Sequence, residues 1–190
     1  MSAATSAEAL RQLSTGELLQ LFATLDAPDI AEMHGEYSAS LLAQKFWLAT
    51  VVGRAALANP LQSWLCKAFR PVDSETGRGY NTFQQGRRVV QRYPMLTLVA
   101  PSRFDGRPAY QLVYRYFHSL CGTLHMVDEV RRVAPELYLG MGTYGFTAGQ
   151  RHTPCPFVLE GPVAQYRGDI GRERDNFELG PRDLPALFTN

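Results

Sequence analysis

Ionisable side chains are concentrated between residues 109 and 146, among large apolar residues that alternate along the chain. The group comprises Tyr114, Arg115, His118, His125, Asp128, Glu129 and Arg131. A positioned imidazole or carboxylate can transfer protons, and an arginine in apolar surroundings can hold a carboxylate through two parallel hydrogen bonds. These residue types therefore predict polar anchors for a ligand, or an acid/base site in which His118 or Asp128 is the base and Arg115 polarises a carbonyl.

The two histidines of this group flank Cys121 and Gly122, where the pattern predicts a short turn between strands. Paired strands could bring His118 and His125 together, and Asp128 would then complete either a metal site or an acid/base pair. The spacing is not specific for a metal, and neither a dinucleotide fingerprint nor a nucleophile elbow is present. We therefore expect no metal and no cofactor.

The alternation does not decide which of these side chains face inward. On the strand predicted over 109–118, Tyr114 and Arg115 point to opposite faces, and Asp128 and Glu129 do so on the following strand. Whichever face of these strands points inward, it therefore places at least one polar group in the interior of the barrel. Such a group would bind or act on a ligand, or it would belong to an internal ion pair that only neutralises buried charge.

The elements that position these residues are predicted to be mainly β-strands. Alternating segments separated by short turns run over 35–42 and through 63–160, with an apparent break near Pro94 and a loop over 71–81. Closure would remove the exposed sheet edges. The pattern predicts an antiparallel lipocalin-like β-barrel of about eight or nine strands, wide enough for one small ligand.

Two helices are predicted near the N-terminus. The capping box that begins at Ser14 and ends at Glu17 predicts a helix over 14–26, and the alanine-rich segment 43–58 predicts a second. Charged residues, Gly and Pro dominate residues 161–190, which indicates a surface tail. We expect one domain over residues 1–190.

Composition excludes several classes of protein. The chain has 190 residues, 45% hydrophobic and 19% charged, which is typical of a globular domain with its own core. A formal net charge of +1 gives no support for a nucleic-acid partner. Three widely spaced cysteines, no secretory signal and no apolar run of the ~20 residues needed for a membrane span predict a cytoplasmic protein.

Two of the predicted strands carry short motifs, Gly35-x-Tyr37-x-Ala39 and Trp64-x-x-Lys67-x-Phe69. These motifs resemble those of the GXWXG family of uncharacterised bacterial proteins. In the segment 35–39, Gly35 matches the first glycine of Gly-x-Trp-x-Gly, whereas Tyr37 and Ala39 replace the tryptophan and the second glycine. The matches in a later strand are Trp64, Lys67 and Phe69. The resemblance implies a small barrel similar to lipocalins and fatty-acid-binding proteins, and it brings no established activity.

These observations predict a barrel that binds a small, largely apolar or aromatic ligand. The polar anchors would come from the group named above, and the cavity walls would include Tyr37, Trp64, Met126 and Tyr144. One alternative is an isomerase, hydratase or cyclase that uses the same cavity. Another is a non-catalytic interaction protein whose barrel is filled by its own side chains. The oligomeric state is left open, with a homodimer as one option.

Overall fold

A computed structural model describes residues 6–42, 62–143, 145 and 147–188 of the chain. Eight strands form a closed barrel in which each strand pairs antiparallel with the next and the last pairs with the first. The strands are β1 (Gly35–Leu41), β2 (Gln62–Pro71), β3 (Thr76–Gln85), β4 (Arg88–Pro101), β5 (Pro108–Val113), β6 (Val127–Ala134), β7 (Leu137–Thr143) and β8 (Cys155–Ala164). The predicted fold class, a mainly β antiparallel barrel, is confirmed.

Short helices accompany the barrel. They are α1 (Ala7–Arg11), α2 (Thr15–Phe22), α3 (Leu120–Thr123) and α4 (Ala148–Arg151), with 3-10 turns at Tyr114–Tyr116 and Pro185–Leu187. Both α1 and α2 precede the barrel, and α2 ends at Phe22, four residues before the predicted boundary. The helix predicted over 43–58 lies outside the described residues.

Helices α1 and α2 cover part of the outer face of the barrel. Leu10, Leu18 and Phe22 are fully buried and belong to one apolar cluster with Leu139 and Val158, which lie on the outer faces of β7 and β8. Since both faces of this part of the sheet are covered, β7 is buried along its whole length.

The predicted capping box is present at the start of α2. The Ser14 hydroxyl accepts a hydrogen bond from the Glu17 amide at 3.3 Å, and the Glu17 carboxylate accepts one from the Ser14 amide at 2.8 Å. We expect Ser14→Ala to lower the free energy of unfolding by about 1 kcal/mol, because orphan amides at the helix start lose a partner. Urea denaturation measures this. The exposed Ser63→Ala serves as the control, and an equal effect of both would contradict the prediction.

Two predicted strand boundaries are wrong at β3 and β4. Residues 76–81, predicted as a loop, belong to β3, and β4 runs without a break through Pro94. The turn lies instead at Gly86, which has a φ of +57°. A β-bulge near Tyr93, whose φ is +55°, places Pro94 where the sheet does not need its amide.

The strand predicted over 109–118 is also shorter than expected. It ends at Val113 because residues 114–116 form a 3-10 turn, and Ser119 then caps α3 by accepting a hydrogen bond from the Gly122 amide at 3.0 Å. The next strand, β6, begins only at Val127. The connection between β5 and β6 is therefore a helical excursion rather than a hairpin turn.

The two ends of the barrel differ. We call one end of the barrel the lower end. It contains the β2–β3, β4–β5 and β6–β7 connections, and the opposite end is the upper end. In the lower half, the lumen is packed with apolar and aromatic side chains, among them Met33, Tyr37, Phe69, Tyr110 and Tyr138. Side chains that pack on this core but remain partly exposed, including Leu41, Trp64 and Met126, lie at the upper end.

The chain after β8 follows the outside of the barrel. Ion pairs attach it at several places: Arg167 to Glu36, Arg70 to Asp169, Arg78 to Glu173, and Arg115 to Asp183. Of these residues, Glu36 on β1 and Asp183 in the C-terminal segment are almost fully buried.

Candidate functional site

A cluster of polar side chains is buried in the upper half of the lumen. It consists of Lys67, Asn81, Tyr114 and Asp128, and the partly exposed Trp64 borders it and donates a hydrogen bond to Asn81. A β-bulge between Trp64 and Cys66 shifts the register of β2 against β3, so that Trp64 and Lys67, three residues apart, both face inward. The side chains of Lys67 and Asp128 are only 3% and 4% exposed.

All three N–H groups of the Lys67 ammonium have partners within the cluster. Lys67 Nζ lies 2.7 Å from Asp128 Oδ2, 2.5 Å from Tyr114 Oη and 3.1 Å from Asn81 Oδ1. It also lies 5.1–5.3 Å from the ring centroids of Trp64, Tyr114 and Phe157, which is within the range of cation–π attraction. Since an ammonium has three donors, Lys67 has none left.

Tyr114 connects the cation to the carboxylate. Its hydroxyl accepts from Lys67 and from Asn81 Nδ2, which lies 3.2 Å away, and donates to Asp128 Oδ2 at 2.9 Å. Burial, with the neighbouring Asp128 carboxylate, holds the pKa of Tyr114 well above its usual value. The phenol therefore stays protonated and remains the donor to Asp128.

Asp128 uses only one of its two carboxylate oxygens. Both Lys67 and Tyr114 bind Oδ2, and among the residues that the structure describes none donates a hydrogen bond to Oδ1. The Asp128 side chain keeps 4% of its surface exposed. Oδ1 lies close to Gly142: a Cβ atom added to Gly142 would be 3.1 Å from this oxygen.

Aromatic and apolar side chains form the wall above this cluster. Trp64 packs edge-on against Phe157, with ring centroids 5.8 Å apart. The Phe157 ring occupies the space that a side chain at position 140 would take, because a Cβ on Gly140 would lie 2.1 Å from it. The partly exposed members of the wall are Ala39, Leu41, Trp64, Tyr93 and Met126.

The structure brings five of the predicted site residues to the lumen. Tyr114 and Asp128 belong to the buried cluster, Trp64 and Met126 belong to the wall, and Tyr37 lies in the filled lower half. Tyr37 donates a hydrogen bond to the Glu32 carbonyl at 3.2 Å and packs on neighbouring rings. Tyr144 lies outside the described residues.

The two histidines do not face each other. His118 is exposed beyond the end of β5, and His125 is half-buried in the connection that follows α3. The α3 excursion separates them where a hairpin turn was predicted. Burial, with Arg115 nearby, lowers the pKa of His125. The predicted pairing of His118 with His125 is therefore wrong.

Arg115, Glu129 and Arg131 face outward instead of into the lumen. Arg115 binds Asp183 of the C-terminal segment, with Nη2 to Oδ2 at 2.6 Å, and its side chain stacks on Phe177. Glu129 accepts hydrogen bonds from Ser102 and from the Arg103 amide in the β4–β5 connection. Arg131 lies beneath α2. All three are structural anchors on the outer surface of the barrel.

Lys67, Asn81, Tyr93 and Phe157 were not predicted as site residues. The sequence does carry one signal for Lys67, a lysine in register with Phe69 on a strand that is otherwise apolar on that face. Simple alternation, however, places Trp64 and Lys67 on opposite faces. Only the bulge brings them together, and no residue type at that point indicates it.

Within the described ranges, no three His, Cys, Asp or Glu side chains come close enough to hold a metal ion. No helix in those ranges is both long and apolar enough to cross a bilayer. An open groove of about 430 Å3 lies at the lower end and is lined by residues that include Glu32, Arg132 and Tyr138. Its polar groups are paired with one another, since Glu32 binds both Arg132 and Tyr138.

Two thiols lie close to Asp128. Burial and the Asp128 carboxylate raise the pKa of Cys121 to about 12 and that of Cys155 to about 11. Because the thiolate is the reactive form, we expect iodoacetamide to alkylate Cys121 at pH 8 roughly a thousandfold more slowly than a free thiol. Mass spectrometry of timed digests measures this, with protein unfolded in guanidinium as the control. Equal rates in folded and unfolded protein would contradict the prediction.

No family model and no curated protein matches the chain. Among solved structures, the chain is similar to a crystal structure of a protein from Thermomonospora curvata. The two are 13% identical, the match covers 78% of this chain and 87% of that one, and the TM-score is 0.49. A likeness of this size carries no argument about function. The resemblance to the GXWXG family stays a prediction.

Proposed function

We propose that the upper half of the lumen binds a small, largely apolar or aromatic ligand. The observation that supports this proposal is the buried Lys67–Asp128 pair at the bottom of a partly exposed aromatic wall. Ligand pockets typically combine apolar walls with a few polar groups that orient the ligand. Trp64 and Phe157 supply the walls, and Asp128 supplies the polar contact.

The contrast between the two halves of the lumen supports a binding role over a packing role. The lower half shows that this chain fills a barrel with tyrosine, phenylalanine and methionine where only packing is needed. A buried ion pair is a weak source of stability, because desolvation offsets most of the attraction between the charges. Its presence in the upper half, beside an oxygen that no described residue binds, is better explained by a ligand.

Native mass spectrometry of the purified protein tests the proposal, followed by denaturing extraction of the bound compound. Ala39→Phe places a ring in the upper lumen, and Ser38→Phe places the same ring on the outer face of β1 as the matched control. We expect wild type and Ser38→Phe to carry the same compound, and Ala39→Phe to have lost it.

A compound retained by Ala39→Phe would place the binding site elsewhere. A wild-type protein at its bare chain mass that also fails to bind aromatic probes would mean that the barrel is filled by its own side chains. Either result would contradict the proposal.

The same geometry favours a second candidate, an enzyme in which Asp128 is the general base. Its Oδ1 has lone pairs that no described residue binds, below the partly exposed wall, and proton abstraction requires such an unused acceptor. His118 and Arg115 cannot share this role, because His118 is exposed and Arg115 is bound to Asp183. Conversion of the extracted compound by wild type but not by Asp128→Asn would establish this candidate, and an unchanged compound would exclude it.

A further inference from the structure

We propose that the ligand carries a neutral hydrogen-bond donor, such as a phenol, an alcohol or an amide N–H, and that this donor binds Asp128 Oδ1. This inference rests on the proposed function and specifies the chemistry of the group that reaches the bottom of the cavity.

The lysine cannot be the group that recognises the ligand. Its three donors bind Asp128, Tyr114 and Asn81, so a ligand acceptor could reach Nζ only by displacing one of these partners. Tyr114 likewise donates its only proton to Asp128 Oδ2. The charged cluster thus offers an incoming molecule no free donor from either side chain.

The aspartate offers an acceptor. Oδ1 is the part of the Lys67–Asp128 pair that no described residue binds, and the Asp128 side chain keeps 4% of its surface exposed below the partly exposed wall. Gly142 has no side chain that would cover it, and the remaining bonds fix the carboxylate plane through Oδ2. A hydrogen-bond acceptor that is fixed in place beside an apolar wall favours ligands with a hydrogen-bond donor, because a ligand without one would leave the acceptor unpaired.

Charge then selects among the donors and rejects carboxylates. A carboxylate ligand would lie against an oxygen of like charge, and a cationic donor would give up its hydration for a carboxylate that Lys67 already neutralises. Both placements are unfavourable in a cavity of low dielectric constant. A neutral donor on an aromatic or apolar body remains, in contrast to the carboxylate ligand that an inward Arg115 would have held.

Isothermal titration calorimetry of wild-type protein with three matched probes tests the inference. 4-Ethylphenol has the donor, 4-ethylanisole has the same ring with the donor methylated, and 4-ethylbenzoate is an anion. We expect 4-ethylphenol to bind at least ~10-fold more tightly than 4-ethylanisole, since a hydrogen bond to a charged group is lost with methylation. We expect 4-ethylbenzoate to bind most weakly.

Gly142→Ala tests the contact without removing a charge. The added methyl group would lie 3.1 Å from Oδ1, and the Lys67–Asp128 pair would stay in place. We expect this variant to lose most of the preference for 4-ethylphenol and to keep its affinity for 4-ethylanisole. Ala39→Phe should reduce the binding of both, because it fills the wall region above the cluster.

The outcomes separate the inference from the proposed function. Equal affinities for 4-ethylphenol and 4-ethylanisole, both abolished by Ala39→Phe, would overturn the donor inference and leave the ligand site intact. Tighter binding of 4-ethylbenzoate would do the same. No binding of any probe, together with a bare chain mass, would overturn both.

Discussion

Replacing Lys67 by methionine is expected to lower the free energy of unfolding by about 3–5 kcal/mol, because it leaves the Asp128 carboxylate buried without its cation. Both side chains are almost fully buried, and Nζ lies 2.7 Å from Oδ2. Tyr114 remains as a donor to Asp128, but a neutral hydroxyl cannot balance the charge. Guanidinium denaturation of both proteins measures the difference.

The double variant Lys67→Met/Asp128→Leu separates stability from function. Apolar replacement of both members of a buried pair is often neutral or stabilising. We therefore expect the double variant to recover most of the stability that Lys67→Met loses, while it fails to bind 4-ethylphenol. A loss below about 1 kcal/mol for Lys67→Met alone, the size of an exposed pair, would show that the pair is not desolvated.

Replacing Arg131 by lysine is expected to destabilise the fold by about 3 kcal/mol, since an ammonium cannot make all the hydrogen bonds of the guanidinium and each bond to a charged group contributes about 1.5 kcal/mol or more. Arg131 is fully buried, and its donors bind the Asp105 carboxylate twice and three carbonyl oxygens, those of Phe22, Arg107 and Pro108. Lysine has three donors and no fixed plane. At least two of the five hydrogen bonds of the guanidinium would therefore be lost.

The neighbouring Arg132 provides the matched control. Its side chain is 47% exposed and pairs with Glu32 at the surface. We expect Arg132→Lys to change stability by less than about 1 kcal/mol. Thermal unfolding of wild type and the two variants compares them. Equal effects at positions 131 and 132 would mean that Arg131 does not fix α2 to the barrel.

Strand alternation predicted the barrel because most of its strands have one apolar face. Alternation could not decide which polar residue of β6 faces the lumen. Asp128 and Glu129 are both carboxylates, and as neighbours on one strand they point to opposite faces. The deciding partners come from distant parts of the chain. Lys67 on β2 binds Asp128 inside, and Arg103 in the β4–β5 connection binds Glu129 outside.

The candidate site itself depends on irregular backbone that residue types did not indicate. The bulge in β2 turns Trp64 and Lys67 to the same face, and the 3-10 turn at the end of β5 directs Arg115 away from the lumen towards Asp183. Tyr114, Asp128 and Trp64 were predicted as site residues from their chemistry and strand positions. Lys67 was recognised as a site residue only from the tertiary structure.

A crystal structure of the protein with 4-ethylphenol would test the upper lumen as the ligand site. We expect the ring to lie against Trp64 and Phe157, with its hydroxyl about 2.7 Å from Asp128 Oδ1, as is usual for O–H···O hydrogen bonds. Density for the probe in the lower groove beside Glu32 and Tyr138, or an upper lumen closed by the protein's own side chains, would contradict the proposed site.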